Sequence, residues 1–221
     1  PIGLSSLALI TIPIFTRILT PEEYGILALA MIYGTFSNGF SNLGMTSAFE
    51  RNYFLYSKDK RKLAQLLFSS LVFVLANFAL LAGLTYLFKD NISVFLTGET
   101  QHGILIFTAF AAHFFSGTAT SFYFTYFKNA ERANTYTIYR IISIVFNLVF
   151  SLFLVAYLKI GVIGIVAAQL ITGVSLFLLL LYLFLKELHF SLNKSILFES
   201  LKIGYPLTPR IFIGVLNTQF D

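Results

Sequence analysis

LAQLLFSSLVFVLANFALLAGLTYLF, from Leu63 to Phe88, holds 26 consecutive residues without a charge. A helix crosses a bilayer in about 20 apolar residues, so this stretch is long enough to span one. It is apolar all round, without the short alternating runs of a membrane barrel strand. Six further segments read the same way. They run from Pro1 to about Leu19, Tyr24 to Phe49, Gly103 to Phe127, Ile138 to Leu158 and Gly161 to Leu185, with a last one from near Leu201 to Asp221. The expected fold is therefore all-α, a polytopic membrane protein. The chain is apolar at once from Pro1 and stops at Asp221 within an apolar run, so it is expected to be a fragment.

Composition agrees. Hydrophobic residues make up 57% of the 221 and charged residues 11%, against roughly 25% in ordinary soluble chains. Mean hydropathy is +0.81. The net charge of +5 does not point to nucleic acid, because the basic residues sit in short gaps between apolar runs, as topology signals do. Lys and Arg are biased toward the loops after the second, fourth and sixth segments, eleven against three on the other side. That bias places these loops, and the N-terminus, in the cytoplasm. Tyrosines such as Tyr24, Tyr86, Tyr126, Tyr157 and Tyr182 fall near segment ends, where an amphipathic ring prefers the interface. The outward connections are short loops: residues 20–23, 89–102 and 159–161. Residues 190–201 alternate apolar and polar side chains, and read either as an amphipathic helix on the inner surface or as a solvated loop.

Polar groups inside apolar segments are costly, so they face a bundle interior or a wet cavity. Helical spacing groups them into stripes. The fourth segment carries His113, Ser116, Gly117, Thr120 and Tyr123; the fifth carries Arg140, Ser143, Asn147 and Ser151; the seventh carries Arg210, Gly214, Asn217 and Asp221. A shared aqueous cavity accounts for all three. Helix packing through small and polar residues is the competing account, and it is the main reading for Gly34, Ser37, Ser41, Gly44 and Ala48 in the second segment and for Gly164, Ala168, Thr172 and Ser175 in the sixth. Counted from Leu201, Arg210 falls roughly 14 Å along the helix axis, near mid-membrane. Pro206 and Pro209 just before it are expected to break the helix, and a broken helix beside a cation is a transport-site design. Arg210 is thus a candidate substrate-binding residue, with Asn217 and Asn147. His113 is a candidate for binding substrate or for ion coupling, and Asp221 for ion coupling.

No enzymatic constellation is visible. The three histidines (His102, His113, His189) lie in different segments without metal spacing, and Asp221 is the one intramembrane acid. There is no cysteine, hence no thiolate metal site. No metal and no cofactor are expected.

The run Ile12-Pro-Ile-Phe-Thr-Arg-Ile-Leu-Thr-Pro-Glu-Glu-Tyr-Gly25 resembles the first hairpin of the polysaccharide-biosynthesis flippases. These are the O-antigen (Wzx-type) and teichuronic acid exporters of the multidrug/oligosaccharidyl-lipid/polysaccharide exporter superfamily. Asn42-Leu-Gly-Met-Thr-Ser-Ala-Phe-Glu-Arg-Asn-Tyr-Phe54 and Ile203-Gly-Tyr-Pro-Leu-Thr-Pro209 are similar to the end of their second span and the start of their seventh. The resemblance implies a MATE-like two-lobe exporter: a six-helix N-lobe over residues 1–198 and the start of the C-lobe, its seventh helix, over 199–221. It implies alternating-access transfer of undecaprenyl-diphosphate-linked oligosaccharide across the cytoplasmic (inner) membrane for surface polysaccharide such as the O-antigen of lipopolysaccharide. Membrane lipids, and polymerase and chain-length proteins of the same pathway, are the implied partners, with no nucleic acid. Arg17 and Arg51 match motif positions at span ends, where they contact substrate headgroups or anchor at the interface. A drug exporter of the same superfamily and a membrane-bound polymerase or glycosyltransferase remain the alternatives, with a non-transporting scaffold as a third.

Overall fold

A computed structural model describes residues 19–187 and 191–209. Among these residues the chain is helical with no strand. Arg17, Arg210, Asn217, Asp221 and the first apolar segment as far as residue 18 lie outside them. Four helical stretches are long and apolar enough to cross a membrane: Lys60–Leu87, Gly103–Asn129, Ala133–Tyr157 and Val162–Leu185. The chain is a multi-pass membrane protein.

The stretch read as one span over 24–49 is two helices, Pro21–Asn42 (α1) and Met45–Tyr56 (α2). α1 starts at Pro21 because Thr20 and Glu23 form a reciprocal cap. The Thr20 hydroxyl accepts the Glu23 N–H at 3.3 Å, and the Glu23 carboxylate accepts the Thr20 N–H at 2.8 Å. Proline in the first turn and two acids beside the helix N-terminus reinforce this start. α1 ends where Leu43 (φ 44°) and Gly44 (φ 71°) turn left-handed. A left-handed leucine costs about 1–2 kcal/mol, so the break needs support. Asn77, on Lys60–Leu87 (α3), supplies it by donating its amide to the carbonyls of Phe40 (2.8 Å) and Ser41 (3.1 Å). These oxygens lose their helical partners at the break. On the other side, the Asn42 Oδ1 accepts the Thr46 N–H at 3.1 Å and so caps α2.

Asp59 caps α3 by accepting the Arg61 and Lys62 N–H groups. The outward connection read as a loop over 89–102 contains a helix, Lys89–Thr97 (α4), which Gly98 closes with φ 81°. Gly103–His113 (α5) and Thr120–Asn129 (α6) form one continuous span joined by a π-helical turn, Phe114–Ala119. The next span is Ala133–Leu152 (α7), closed by a second π turn, Phe153–Tyr157. Val162–Glu187 (α8) comes next.

Of the two readings of residues 190–201, helix or loop, the described part is helical from Lys194 onward. A helix runs over Lys194–Gly204 (α9), capped by the Asn193 side chain, and tightens to a 3-10 turn at Tyr205–Leu207 where Pro206 removes a donor. The division drawn between residues 198 and 199 falls inside α9. The count from Leu201 therefore does not set the depth of Arg210. α9 is docked rather than loose. Asn52 donates to Ser200 at 3.0 Å, Asn193 donates to Gln65 at 3.0 Å, and the Tyr56 hydroxyl donates to Glu199 at 2.7 Å. Burial, then the Glu199 hydrogen bond and charge, push the Tyr56 phenol up to about 12.

In a bilayer, helices associate through close packing rather than escape from water. The fourth span (α5 to α6) is the most enclosed, held between α1, α3 and α8. Two glycines let neighbouring helices approach it closely. A Cβ on Gly34 of α1 would stand 2.9 Å from the Ala109 carbonyl oxygen, and one on Gly173 of α8 would stand 2.6 Å from the Ser116 nitrogen. An aromatic core fills the end that carries the basic loops, with Phe49 edge-on to Phe122 (5.4 Å) and Tyr123 against Phe184 (4.8 Å). α7 is the opposite case: Ile138, Ile141, Val145 and Val149 are exposed along it, as on a lipid-facing helix.

Gly44→Ala is expected to lower the melting temperature in detergent, because a Cβ there collides with the Gly204 carbonyl of α9 on a backbone that already disfavours side chains. Gly83→Ala, with open space around its position, is expected to be neutral or to stabilise by roughly 0.5–1 kcal/mol. Equal melting of the two variants would contradict this packing.

Candidate functional site

An open groove of about 580 Å³ lies between α1, α2, the fourth span and α7. This is the size range of small-molecule sites, about 300–1,000 Å³. α1 contributes Asn38 and Asn42, one helical turn apart on one face, and α2 contributes Thr46 and Ser47. Gly34 and Ser41, both buried, lie on the adjoining stripe of α1. The second segment thus carries the expected packing seam and, beside it, a polar wall.

The fourth span forms the facing wall with Ser116, Gly117, Thr118, Thr120, Ser121 and Thr125. The stripe expected from α-helical spacing is only partly brought together. Ser116, Gly117 and Thr120 line the groove, whereas His113 and Tyr123 do not. The cause is the π turn at Phe114–Ala119: its i→i+5 hydrogen bonding adds about one residue to a turn and rotates the helix beyond it. Tyr123 is rotated into the aromatic core and fully buried. His113 packs by its ring edge against Gly34 of α1, and its Nε2 is buried without a hydrogen-bond partner among the described residues.

A dense hydrogen-bond set holds the walls. Thr118 donates its hydroxyl to Asn38 Oδ1 at 2.8 Å, and Thr46 donates its hydroxyl to Asn42 Oδ1 at 2.8 Å. Ser116, Thr120 and Ser121 donate to carbonyls of their own helix, those of Ala112, Ser116 and Thr118. From α8, Gln169 donates to the Ser116 hydroxyl at 3.0 Å. At the basic end stand Phe124, Lys128, Tyr136 and Arg140. Lys128 is paired with Glu50 of α2 at 2.5 Å. Arg140 sits over the Phe124 ring, 5.7 Å from its centroid, a cation–π contact. No carboxylate pairs with Arg140 among the described residues, and none lines the groove.

The remaining expected site residues are elsewhere. Arg51 is exposed on α2 and does not line the groove. Of the fifth-segment stripe only Arg140 reaches it. Ser143 instead lines a small apolar cleft between α7 and α8 with Phe146 and Thr172. Asn147 Oδ1 is buried without a partner among the described residues, and Ser151 is buried. Asn38, Asn42, Thr118, Ser121, Lys128 and Gln169 were not singled out by the sequence. The i, i+4 spacing of Asn38 and Asn42 was the legible signal.

The family model described as "Polysaccharide biosynthesis protein" matches residues 2–221. No curated protein sequence matches significantly. Among solved structures, a MATE protein in complex with MaD3S is similar at TM-score 0.70 and 19% identity, over 96% of this chain and 50% of that one. A point mutant of MATE is similar at TM-score 0.61 and 20% identity, over 94% and 49%. MATE in complex with Br-NRF is similar at TM-score 0.60 and 20% identity, over 96% and 51%. At such identity the likeness is one of fold: the chain has the all-α architecture of one MATE lobe. It spans about half the length of the MATE chains it matches.

The absence of cysteine makes the groove directly testable. A cysteine at Ser121 is expected to react with a membrane-impermeant maleimide added from the basic-loop side. One at fully buried Tyr123 is expected to stay unlabelled. Equal protection of both would show that the groove is dry.

Proposed function

The chain belongs to the polysaccharide biosynthesis protein family, and from that premise we propose that the protein is a flippase. Its proposed cargo is undecaprenyl-diphosphate-linked oligosaccharide, moved across the cytoplasmic membrane by alternating access for surface polysaccharide assembly. The basic loops, and the N-terminus with them, lie in the cytoplasm under this reading.

The observation that carries it is the composition of the groove: amides and hydroxyls along the walls, an aromatic surface with Arg140 and the Glu50-paired Lys128 at one end, and, among the described residues, no carboxylate in the lining. Sugar hydroxyls need hydrogen-bond partners inside the membrane, and a polar lining supplies them. A diphosphate needs cations where the dielectric is low. Arg140 and Lys128 stand at the basic end, where the headgroup would enter. A cationic drug would meet Arg140 with no carboxylate partner among the described residues, which weighs against the drug-exporter alternative.

Arg210 extends this cationic set in the proposal, with Asn217 and Arg17 as further substrate contacts. His113 is the proposed ion-coupling group, a lone imidazole in a crowded helix contact, and Asp221 is proposed as its counterpart. Polymerase and chain-length proteins would take the product.

Full-length protein in liposomes is expected to move labelled undecaprenyl-diphosphate oligosaccharide between leaflets. Arg140→Ala is expected to slow this about tenfold or more, the equivalent of one lost charge-assisted contact of about 1.5–3 kcal/mol, and Arg140→Lys to retain part of it. An unchanged rate in Arg140→Ala would remove the groove from the transport path. Arg210→Ala is expected to insert normally yet fail to restore surface polysaccharide in a flippase-null strain.

A further inference from the structure

The hydrogen bonds of the groove fix which side of each polar group is left for a ligand. The Asn42 Oδ1 contacts a backbone N–H, that of Thr46, at 3.1 Å. A backbone N–H can only donate, so the atom facing it is the carbonyl oxygen and the NH₂ is turned away. The same Oδ1 also accepts the Thr46 hydroxyl. Asn38 has its Oδ1 toward the Thr118 hydroxyl, which donates to it at 2.8 Å, and its Nδ2 toward Gly117 in the groove lining. Neither NH₂ group has an acceptor among the described residues, and both residues line the groove. Two amide donors one helical turn apart therefore face the open space.

The hydroxyls are the reverse. Thr46, Ser116, Thr118, Thr120 and Ser121 each give their proton to a protein oxygen. Toward the groove they offer lone pairs only. The two amide donors thus stand on α1, and four of these five acceptors stand on the facing fourth span, with Thr46 on α2.

Resting on the flippase reading, we infer that Asn38 and Asn42 select headgroup sugars carrying a planar acceptor, the carbonyl of an acetamido group or the carboxylate of a uronic acid, while Ser116, Thr118 and Ser121 accept that sugar's hydroxyl protons. Side chains one helical turn apart lie about 5–6 Å from each other at Cβ, a gap that one carbonyl or carboxylate bridges. A plain hydroxyl in the same place has one oxygen with a proton on it, and cannot present two open lone-pair directions to both amides as a carbonyl or carboxylate does. A site built to donate to an acceptor discriminates against a group that fills it less well.

Aspartate separates this role from a structural one. Asn38→Asp and Asn42→Asp keep the oxygen that Thr118 and Thr46 require and remove the donors. The test uses full-length protein in liposomes and three polyprenyl-diphosphate probes, headed by glucose, N-acetylglucosamine or glucuronic acid. The wild type is expected to move one or both acceptor-bearing probes about tenfold faster than the glucose probe. Each Asp variant, with an unchanged melting temperature, is expected to lose that ratio at least tenfold, the glucuronic arm falling further through charge repulsion. A preference for only one arm identifies the acceptor as amide or carboxylate. Equal rates for the three probes, or a ratio unchanged in both variants, would overturn the inference. Saturation-transfer NMR with the three free sugars separates the two readings. The same order of binding without any transport would sink the flippase reading and retain the donor assignment; no order of binding would sink the assignment.

Discussion

Hydrocarbon does not hydrogen-bond, so every polar group inside this bundle must find its partner within the protein or in trapped water. That constraint organises the architecture. Where α1 stops, two carbonyls lose their helical donors, and Asn77 reaches across from α3 to serve both. Where α2 starts, Asn42 supplies the missing acceptor. The break is stable because two asparagines and one close glycine contact surround it, with Gly44 lying against Gly204. It also has a consequence for the site. Asn42 both ends one helix wall and caps the next, so the groove's shape and the helix break depend on the same side chain.

The π turn plays the matching part in the fourth span. It moves Tyr123 into the aromatic core and leaves Ser121, Thr125 and Lys128 toward the open space. Gly173 admits the backbone of this turn at close range, and Gln169 reaches the Ser116 hydroxyl beside it. Three helices thereby fix one wall. The outer spans do less: α7 offers Arg140 at its basic end and otherwise presents an apolar face.

Long uncharged runs made the spans legible, since a run of about twenty apolar residues has few other uses. Thr20 and Glu23 are likewise a local cap readable from four residues. The break at Leu43–Gly44 was not legible, because leucine is a poor left-handed residue and its support, Asn77, lies 36 positions away in sequence from Ser41. Uniform helical spacing misgrouped His113 and Tyr123 with Ser116 for the same kind of reason: a π turn has no clear local signature. Asn38 and Asn42 sat beside a stripe whose small residues read as packing, and the partner of Asn38, Thr118, is met only when the fourth span is in place. Ion pairing, too, is a tertiary fact; nothing local joins Lys128 to Glu50.

The central claim is that the groove between α1 and the fourth span is where a sugar-diphosphate headgroup rests inside the membrane. The most direct test is a cryo-electron microscopy structure of the full-length protein with bound undecaprenyl-diphosphate oligosaccharide. The account places headgroup density along Asn38, Asn42 and Ser121, with the diphosphate at Arg140 and Lys128. Density in another cavity, with these side chains closed on one another, would contradict it.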